Sequence, residues 1–257
     1  MGGKMNPPLL HVENVSHAYK VNGKHVPVLN NISFTLNAGE IIGIAGESGA
    51  GKSTLLRIAA GLEQPQSGVV KFFGEPIPFH KPRSLRQYYR RIGMVFQHPQ
   101  DAFNPRWPLY RSIAEPLRVQ KRRPMHVQQR VMELSAQVGL SRDLLRHYPH
   151  QLSGGQLQRA AIARALIANP EILFLDEPTA ALDVSIQAQI LNLLKQLHQQ
   201  FQFGMVFVSH DLPVLRFIAH RLIVMKQGHI VEQGSTEAII HQPVSPYTRQ
   251  LIKSVLD

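Results

Sequence analysis

The sequence predicts an α/β protein with a mixed, mostly parallel sheet, and two observations lead to this fold class. In the second half of the chain, β-rich segments alternate with helical ones, in the order EILFLDE, helix, GMVFVSH, helix and RLIVMKQG. Such alternation is typical of parallel strands joined by right-handed helical crossovers. In the first half, the continuous apolar run EIIGIAG is typical of a central strand that is buried on both faces.

The other elements follow in chain order from local patterns. Partial alternation of apolar and polar residues predicts strands in LLHVENVSHAYK and VLNNISFTLNAG, and GVVKFFG is another strand between glycines. The stretch from about 100 to 150 contains scattered prolines and helical periodicity in HVQQRVMELSAQVGL. Further helices are predicted at residues 52–62, 155–168, 184–200 and 211–219, and in the tail from residue 235 onward.

Composition limits the class of protein. Of the 257 residues, 44% are hydrophobic and 18% are charged, which is typical of a globular chain rather than a disordered or fibrous one. The absence of Cys excludes disulfides and Cys-ligated iron–sulfur clusters. No signal peptide is recognised, and the apolar runs are far shorter than the roughly 20 residues of a membrane helix. We therefore expect any action at a membrane to occur from outside the bilayer.

Positive charge is concentrated in one part of the chain. The formal net charge is +11, and residues 81–146, here called the basic block, contain 14 Lys and Arg residues against four acidic ones. Such a block is typical of a solvated face, an anionic lipid surface, an acidic protein partner or nucleic acid. Charge alone leaves these interpretations open.

A phosphate-binding loop is predicted between the EIIGIAG strand and the following helix. The segment GESGAGKS at 46–53 fits the pattern G-x-x-x-x-G-K-[ST] in every position. Backbone N–H groups from Gly49 to Ser53 would surround phosphate at a helix N-terminus. Lys52 would neutralise the β- and γ-phosphates of a nucleotide, and the Ser53 hydroxyl would bind Mg²⁺. The candidate nucleotide-binding residues of this segment are Gly46, Glu47, Ser48, Gly49, Ala50, Gly51, Lys52, Ser53 and Thr54.

A pair of carboxylates follows the predicted strand ILFL. Asp176 would stand at the carboxyl end of this strand, where open α/β sheets bind ligands, and would hold Mg²⁺ through its water shell. Glu177 would point to the other face and polarise the attacking water as a general base. Beside an intact phosphate loop, this pair predicts nucleotide hydrolysis rather than a simple turn.

The phosphate loop, LSGGQ and LFLDEP, in this order, resemble the ATPase subunit of an ATP-binding cassette (ABC) transporter. The resemblance extends from about residue 9 to the end and implies a P-loop NTPase (ABC ATPase) core with a mixed sheet, an N-terminal antiparallel β-subdomain and an inserted helical subdomain. It implies one ABC ATPase domain at 9–250, in which 9–98 and 165–234 form the RecA-like core and 99–164 the helical subdomain. Residues 235–257 would form a short helical tail.

The same resemblance implies roles for four single residues. Tyr19 resembles the aromatic residue that stacks on adenine, and Gln97 resembles the glutamine that senses Mg²⁺ and water and links to the membrane subunits. Asp183, in the segment AALD, lies where the family has the loop that crosses between two ATPase subunits. His210 resembles the histidine that contacts the γ-phosphate. Gln97, Glu177 and His210 are therefore the candidate catalytic residues, and Ser53, Gln97 and Asp176 the candidate Mg²⁺ ligands.

A second glycine-containing helix start lies in LSGGQ. In this family, a second subunit packs head-to-tail and presents this segment to the γ-phosphate of its partner's ATP. The resemblance gives this role to Ser153, Gly154, Gly155 and Gln156, through a hydroxyl, backbone N–H groups and the positive end of a helix dipole. ATP then joins the two subunits, and hydrolysis releases them.

The tail HQPVSPYTRQLIKSV and the segment with NPR followed by EPL resemble importers of peptides or of nickel and metal chelates. This implies a second ABC ATPase subunit, like or unlike this one, two transmembrane permease subunits and, indirectly, a substrate-binding protein. No nucleic acid is expected as a partner. The chain would lie peripherally at the cytoplasmic face of the inner membrane, with its basic block near the lipid.

Rival interpretations explain less of the sequence. A soluble ABC ATPase acting on ribosomes or DNA would account for the basic charge, but such proteins usually join two cassettes or contain a long coiled-coil insertion. A P-loop kinase or helicase would leave LSGGQ without a role. A regulatory cassette that binds ATP without turnover often lacks one of the residues that correspond to Glu177 and His210, which are both present here.

Overall fold

The computed structural model describes residues 7–256. The chain forms two compact units, one made of residues 7–86 with 204–256 and the other of residues 87–203. The predicted subdomain boundaries, at 98/99 and 164/165, stay a prediction. The strands are β1 Leu10–Val21, β2 Lys24–Leu36, β3 Ile41–Ala45, β4 Ser67–Phe72, β5 Glu75–Pro76, β6 Ile92–Val95, β7 Ile172–Asp176, β8 Gly204–Val208, β9 Arg221–Lys226 and β10 His229–Ser235. The helices are α1 Lys52–Ala59, α2 Pro82–Tyr89, α3 Leu109–Val119, α4 Pro124–Gln137, α5 Gly154–Leu166, α6 Val184–Phe201, α7 Leu212–Ile218, α8 Thr236–His241 and α9 Pro246–Leu256.

The first unit contains the expected antiparallel sheet, in the strand order β2-β1-β4-β5. β1 and β2 are joined by Asn22 and Gly23, which both have positive φ angles, 49° and 79°. Two residues with positive φ form the type I′ turn that matches the twist of paired strands. This hairpin pairs Leu10 with Leu36 at its far end.

A second group of strands in the first unit follows the order β10-β9-β3-β8. β3 is parallel to both β8 and β9, and β10 is antiparallel to β9, so the sheet is mixed as predicted. Every residue of β3 and β8 is buried, which explains their continuous apolar sequence. At Gly43, a Cβ would lie only 2.7 Å from Leu222 Cδ2, so glycine allows the close packing of β3.

The second unit combines a short parallel pair of strands with helices. β6 and β7 pair in register, with Ile92 opposite Ile172 and Val95 opposite Leu175. α3 packs against α4 and α5, and α5 packs against α6. The core between these helices contains Leu109, Ile113, Val131, Leu134, Ile162 and Leu166.

Several elements differ from the sequence-based expectations in extent or were not expected. α3 was not predicted, because prolines at 108 and 116 disguise its helical periodicity. β10 was not predicted either, since HIVEQGS follows directly on the β9 strand after a tight turn. The helical tail is two helices separated at residues 242–245. Within residues 7–256, no helix has the combination of length and apolar character needed to cross a membrane.

Candidate nucleotide-binding site

The phosphate loop connects β3 to α1 in a conformation that requires glycine. Gly46, Gly49 and Gly51 have φ angles of 150°, 80° and 97°, which side-chain-bearing residues rarely adopt. A Cβ on Gly51 would also lie 2.7 Å from the carbonyl oxygen of Val28. The loop turns directly into α1, whose N-terminus is of the kind that can bind anions through backbone N–H groups.

Lys52, the first residue of α1, folds back over the loop that precedes it. Its Nζ donates to the carbonyl oxygens of Gly46 at 2.8 Å and Glu47 at 2.9 Å, and only 5% of the residue is exposed. These two bonds hold a cation at the concave side of the loop. The positive charge of Lys52 is thus fixed against the backbone of the loop.

Tyr19 is held by a carboxylate that sequence reasoning missed. Its hydroxyl donates to Glu63 Oε2 at 2.9 Å and lies 3.4 Å from Thr54 Oγ1 on α1. The other oxygen of Glu63 is 2.9 Å from His17 Nε2, and the His17 ring contacts the Tyr19 ring edge-on. Burial raises the pKa of the Tyr19 phenol. Tyr19 on β1 and Thr54 on α1, both predicted site residues, are therefore in side-chain contact.

His210 follows β8 at the same edge of the sheet as the phosphate loop. Ile44 on β3 pairs with Val208 on parallel β8, so the loop from Gly46 and the exposed His210 both leave the sheet at its carboxyl edge. The next residue, Asp211, caps α7 by accepting a hydrogen bond from Val214 N. This cap sets where the chain turns after His210.

In the second unit, Asp176, Glu177 and Gln97 lie at the carboxyl ends of the parallel strands β6 and β7. Asp176 ends the fully buried β7 and is itself 4% exposed. Glu177 has a positive φ of 45°, which turns the chain sharply after the strand. Gln97 Nε2 donates to Glu177 Oε2 at 3.5 Å. The structure therefore brings together the predicted glutamine and the predicted general base.

The LSGGQ segment forms the start of α5. Ser153 is the N-cap: its hydroxyl accepts from Gln156 N at 3.3 Å, and the Gln156 side chain accepts from Ser153 N at 3.0 Å. This reciprocal pair is a capping box. Ser153 and Gly154 are exposed, so the positive end of the helix dipole faces outward.

Asp183 caps the neighbouring helix α6. Its carboxylate accepts from Ile186 N at 2.9 Å and from Ser185 Oγ at 2.9 Å. These hydrogen bonds hold the pKa of the exposed Asp183 carboxyl below its ordinary value. Both Asp183 and Ser153 therefore begin helices of the second unit with a side-chain cap.

The strand, glycine loop and helix with Lys52 define a P-loop nucleoside triphosphatase. Residues 29–180 match the family model described as ABC transporter. The chain belongs to the ABC transporter family, and it is an ATP-binding ATPase cassette of that family. The resemblance, the fold class and the ATPase activity predicted from the sequence are confirmed.

Relatives and solved structures match most of the chain. It is 42% identical over 234 residues to the oligopeptide transport ATP-binding protein OppF of Escherichia coli (strain K12), a match that covers 90% of this chain and 70% of the relative. It is 43% identical over 235 residues to the di/tripeptide transport ATP-binding protein DppF of Pseudomonas aeruginosa (strain UCBPP-PA14), covering 89% of this chain and 71% of the relative. The dimeric structure of MJ0796, a bacterial ABC transporter cassette, superposes with a TM-score of 0.80 at 34% identity, covering 88% of this chain and 98% of that one.

Proposed function

We propose that this chain is the ATP-hydrolysing subunit that powers a peptide importer. The observation that supports the cargo class is its similarity, over about nine-tenths of its length, to ATP-binding proteins of oligopeptide and di/tripeptide transport. The tail motif SPYTRQL supports the same subfamily. Nickel or a metal chelate remains an outcome that the experiment below distinguishes.

ATP is bound by groups of the first unit. The N–H groups from Gly49 to Ser53 and the ammonium of Lys52 hold the phosphates, and Tyr19 stacks on adenine. The two carbonyl contacts of Lys52 support this assignment because they preorganise the cation. His210 contacts the γ-phosphate from the adjacent strand end.

Hydrolysis requires a base for the attacking water. Glu177 takes the water's proton, and Gln97 orients the water beside it, a role supported by the amide–carboxylate contact of these two residues. Glu177 directly follows the buried strand β7, and its positive φ of 45° marks a turn of the chain there. Glu177 and Gln97 lie just beyond the carboxyl ends of β7 and β6, so the positions of both residues depend on these strands.

Mg²⁺ is expected with the nucleotide. A hydroxyl at Ser53 and a carboxylate at Asp176 are oxygen ligands of the kind Mg²⁺ prefers, and Gln97 supplies an amide oxygen. Asp176 is buried at the end of β7, and a buried carboxylate is stabilised by a bound cation because it has little contact with solvent. When bound, the ion would neutralise charge on the β- and γ-phosphates.

Two cassettes form a head-to-tail dimer around ATP. The Ser153 hydroxyl accepts a bond from its own helix, and its proton can be donated to a phosphate of the partner's ATP. Exposure of Ser153 and Gly154 supports this role. The N–H groups of Gly155 and Gln156 continue the positive helix end, and Asp183 contributes at the crossing loop. The partner is a like or unlike ABC ATPase subunit.

The dimer acts on two transmembrane permease subunits, and a substrate-binding protein delivers the peptide to them. The chain would lie peripherally at the cytoplasmic face of the inner membrane. Similarity to peptide transport ATP-binding proteins supports these partners. Exposed cations of the basic block, such as Arg122 and Arg123, support a position beside anionic lipid.

Co-purification followed by transport tests this function. The chain is tagged in its native cell, the membranes are gently solubilised, and co-purifying proteins are identified by mass spectrometry. We expect two polytopic permeases and a second ATPase, and loss of labelled-peptide uptake when the gene is deleted. Uptake should return with the wild-type chain and not with Glu177→Gln. Loss of nickel uptake with normal peptide uptake would overturn the cargo, and recovery of ribosomes or DNA would overturn the importer.

A further inference from the structure

The tail motif SPYTRQL has no part in the proposed function, yet two of its residues are buried. α9 begins at Pro246, and the next two residues, Tyr247 and Thr248, are 8% and 0% exposed. A tyrosine and a threonine in a helical tail are buried only where the tail packs against a defined surface. α9 contacts β10 and α7 of its own unit.

The polar end of Tyr247 reaches the phosphate loop. Its hydroxyl accepts a hydrogen bond from the backbone N–H of Glu47, at 3.4 Å. Glu47 is the second residue of that loop and directly follows Gly46. Burial raises the pKa of the Tyr247 phenol, and the nearby Glu47 carboxylate adds to the rise. The phenol therefore stays protonated and neutral beside the anion-binding loop.

The hairpin of β9 and β10 contacts both the tyrosine ring and the same loop. Lys226, at the end of β9, places Nζ 4.5 Å from the centroid of the Tyr247 ring, within the range of a cation–π contact. Gly228, in the turn after β9, donates its N–H to the carbonyl oxygen of Ala50 at 3.1 Å. The tail and the hairpin thus contact the phosphate loop at Glu47 and Ala50.

The start of the tail helix is anchored to this hairpin by a carboxylate. Glu232 on β10 accepts hydrogen bonds from Val244 N at 2.8 Å and Ser245 N at 3.0 Å, just before α9 begins. A negative charge at a helix N-terminus is stabilising because it faces the positive end of the dipole. Tyr247 therefore has a fixed position relative to the loop.

We propose that Tyr247 is a positioning residue of the phosphate loop, so that docking of the tail and binding of nucleotide strengthen each other. The inference rests on the proposed binding of nucleotide phosphates at this loop. The loop binds phosphate through backbone N–H groups, whose directions depend on its conformation. A restraint on Glu47 N–H reduces the conformational freedom that binding must remove. By linkage, nucleotide stabilises the docked tail to the same extent.

Tyr247→Phe tests the proposal in the full chain, because it removes the hydroxyl and keeps the ring that contacts Lys226. ADP, which is not hydrolysed, is titrated calorimetrically into the wild type, Tyr247→Phe and Tyr110→Phe, the same exchange on α3. We expect affinity to fall roughly two- to tenfold in Tyr247→Phe, the range of one net hydrogen bond, and to be unchanged in Tyr110→Phe. Thermal unfolding without ADP checks that all three fold.

A second readout separates positioning from simple stabilisation of the tail. Trypsin cleaves after Arg249 and Lys253, which are exposed on α9, and we expect ADP to slow this cleavage in the wild type and less so in Tyr247→Phe. Equal ADP affinity and equal protection in the two proteins would overturn the proposal. Lys52→Ala tests whether the phosphate loop binds the nucleotide at all. If ADP still bound to this variant with wild-type affinity, the proposed nucleotide site would be wrong, and so would its coupling to the tail.

Discussion

Gly155 on α5 lies against Ile186 on α6 so closely that a Cβ at Gly155 would stand 2.7 Å from Ile186 Cγ2. Glycine at this position of LSGGQ is therefore favoured by packing within the chain, whatever it contacts in a partner. Gly154, one residue earlier, is different. A Cβ there would lie 3.4 Å from Leu182 Cδ2, which is an ordinary contact.

Because their surroundings differ, substitution of Gly154 and of Gly155 should affect different properties of the protein. We expect Gly155→Ala to lower the free energy of unfolding by about 1–3 kcal/mol, because Ile186 must shift. Gly154→Ala should leave stability unchanged or slightly improved, since alanine favours a helix, and should weaken only the ATP-dependent dimer. Urea denaturation measures the first effect and gel filtration with ATP the second. Equal stability of the two variants would contradict the packing explanation.

Ser153 is predicted to matter for the dimer and not for ATP binding by one subunit. Ser153→Ala removes the hydroxyl that would donate to the partner's phosphate, so we expect normal ATP affinity of the monomer and no ATP-dependent dimer. Ser235→Ala is the matched control, because Ser235 likewise caps a helix by accepting from Ala238 N at 3.3 Å. Both changes cost about 0.5–2 kcal/mol of cap stability. Loss of ATP binding by the Ser153→Ala monomer would contradict the head-to-tail arrangement.

Glu177 is predicted to be the general base. Glu177→Gln keeps the size of the side chain and removes its basicity, so we expect ATP binding to be retained and turnover to fall at least about 10²-fold. The uncleaved ATP should hold the dimer together. Phosphate release measures the turnover, and Glu237→Gln, at an exposed carboxylate on α8, is the control. Turnover near the wild-type rate would remove Glu177 from this role.

The basic block is predicted to contribute to binding of anionic membranes, through selected cations. Arg91 is not a suitable probe, because it forms two hydrogen bonds with the carboxylate of Glu171. Reversal of the exposed Arg90, Arg122 and Arg123 to Glu should weaken binding to phosphatidylserine vesicles, at about 1 kcal/mol for each charge near the surface. Flotation of the chain with vesicles measures this effect.

A variant with the same net charge is the control for that experiment. Lys20, Lys24 and Lys253 are exposed and lie outside the basic block. Their reversal to Glu should leave vesicle binding largely intact. If both triple variants lost binding to the same degree, the effect would be one of net charge and not of the basic block.

Local patterns predict the strands and helices next to the motifs, but they do not predict α3. The strand EIIGIAG and the loop after it follow from a short apolar run and from glycines that have positive φ in the structure. α3 was not predicted because Pro116 lies inside the helix. The helix forms nonetheless, packed against α4 and α5. Propensity is a weak guide where tertiary contacts determine the outcome.

The family, the phosphate loop and the carboxylates at 176 and 177 can be recognised from the sequence alone, because each is a contiguous motif whose chemistry depends on near neighbours. The hydrogen bonds of Tyr19 with Glu63 and of Tyr247 with Glu47 are seen only in the folded structure. These pairs are separated by 44 and 200 positions in the chain. Contacts between such distant residues are created by packing of the whole unit, and no local pattern encodes them.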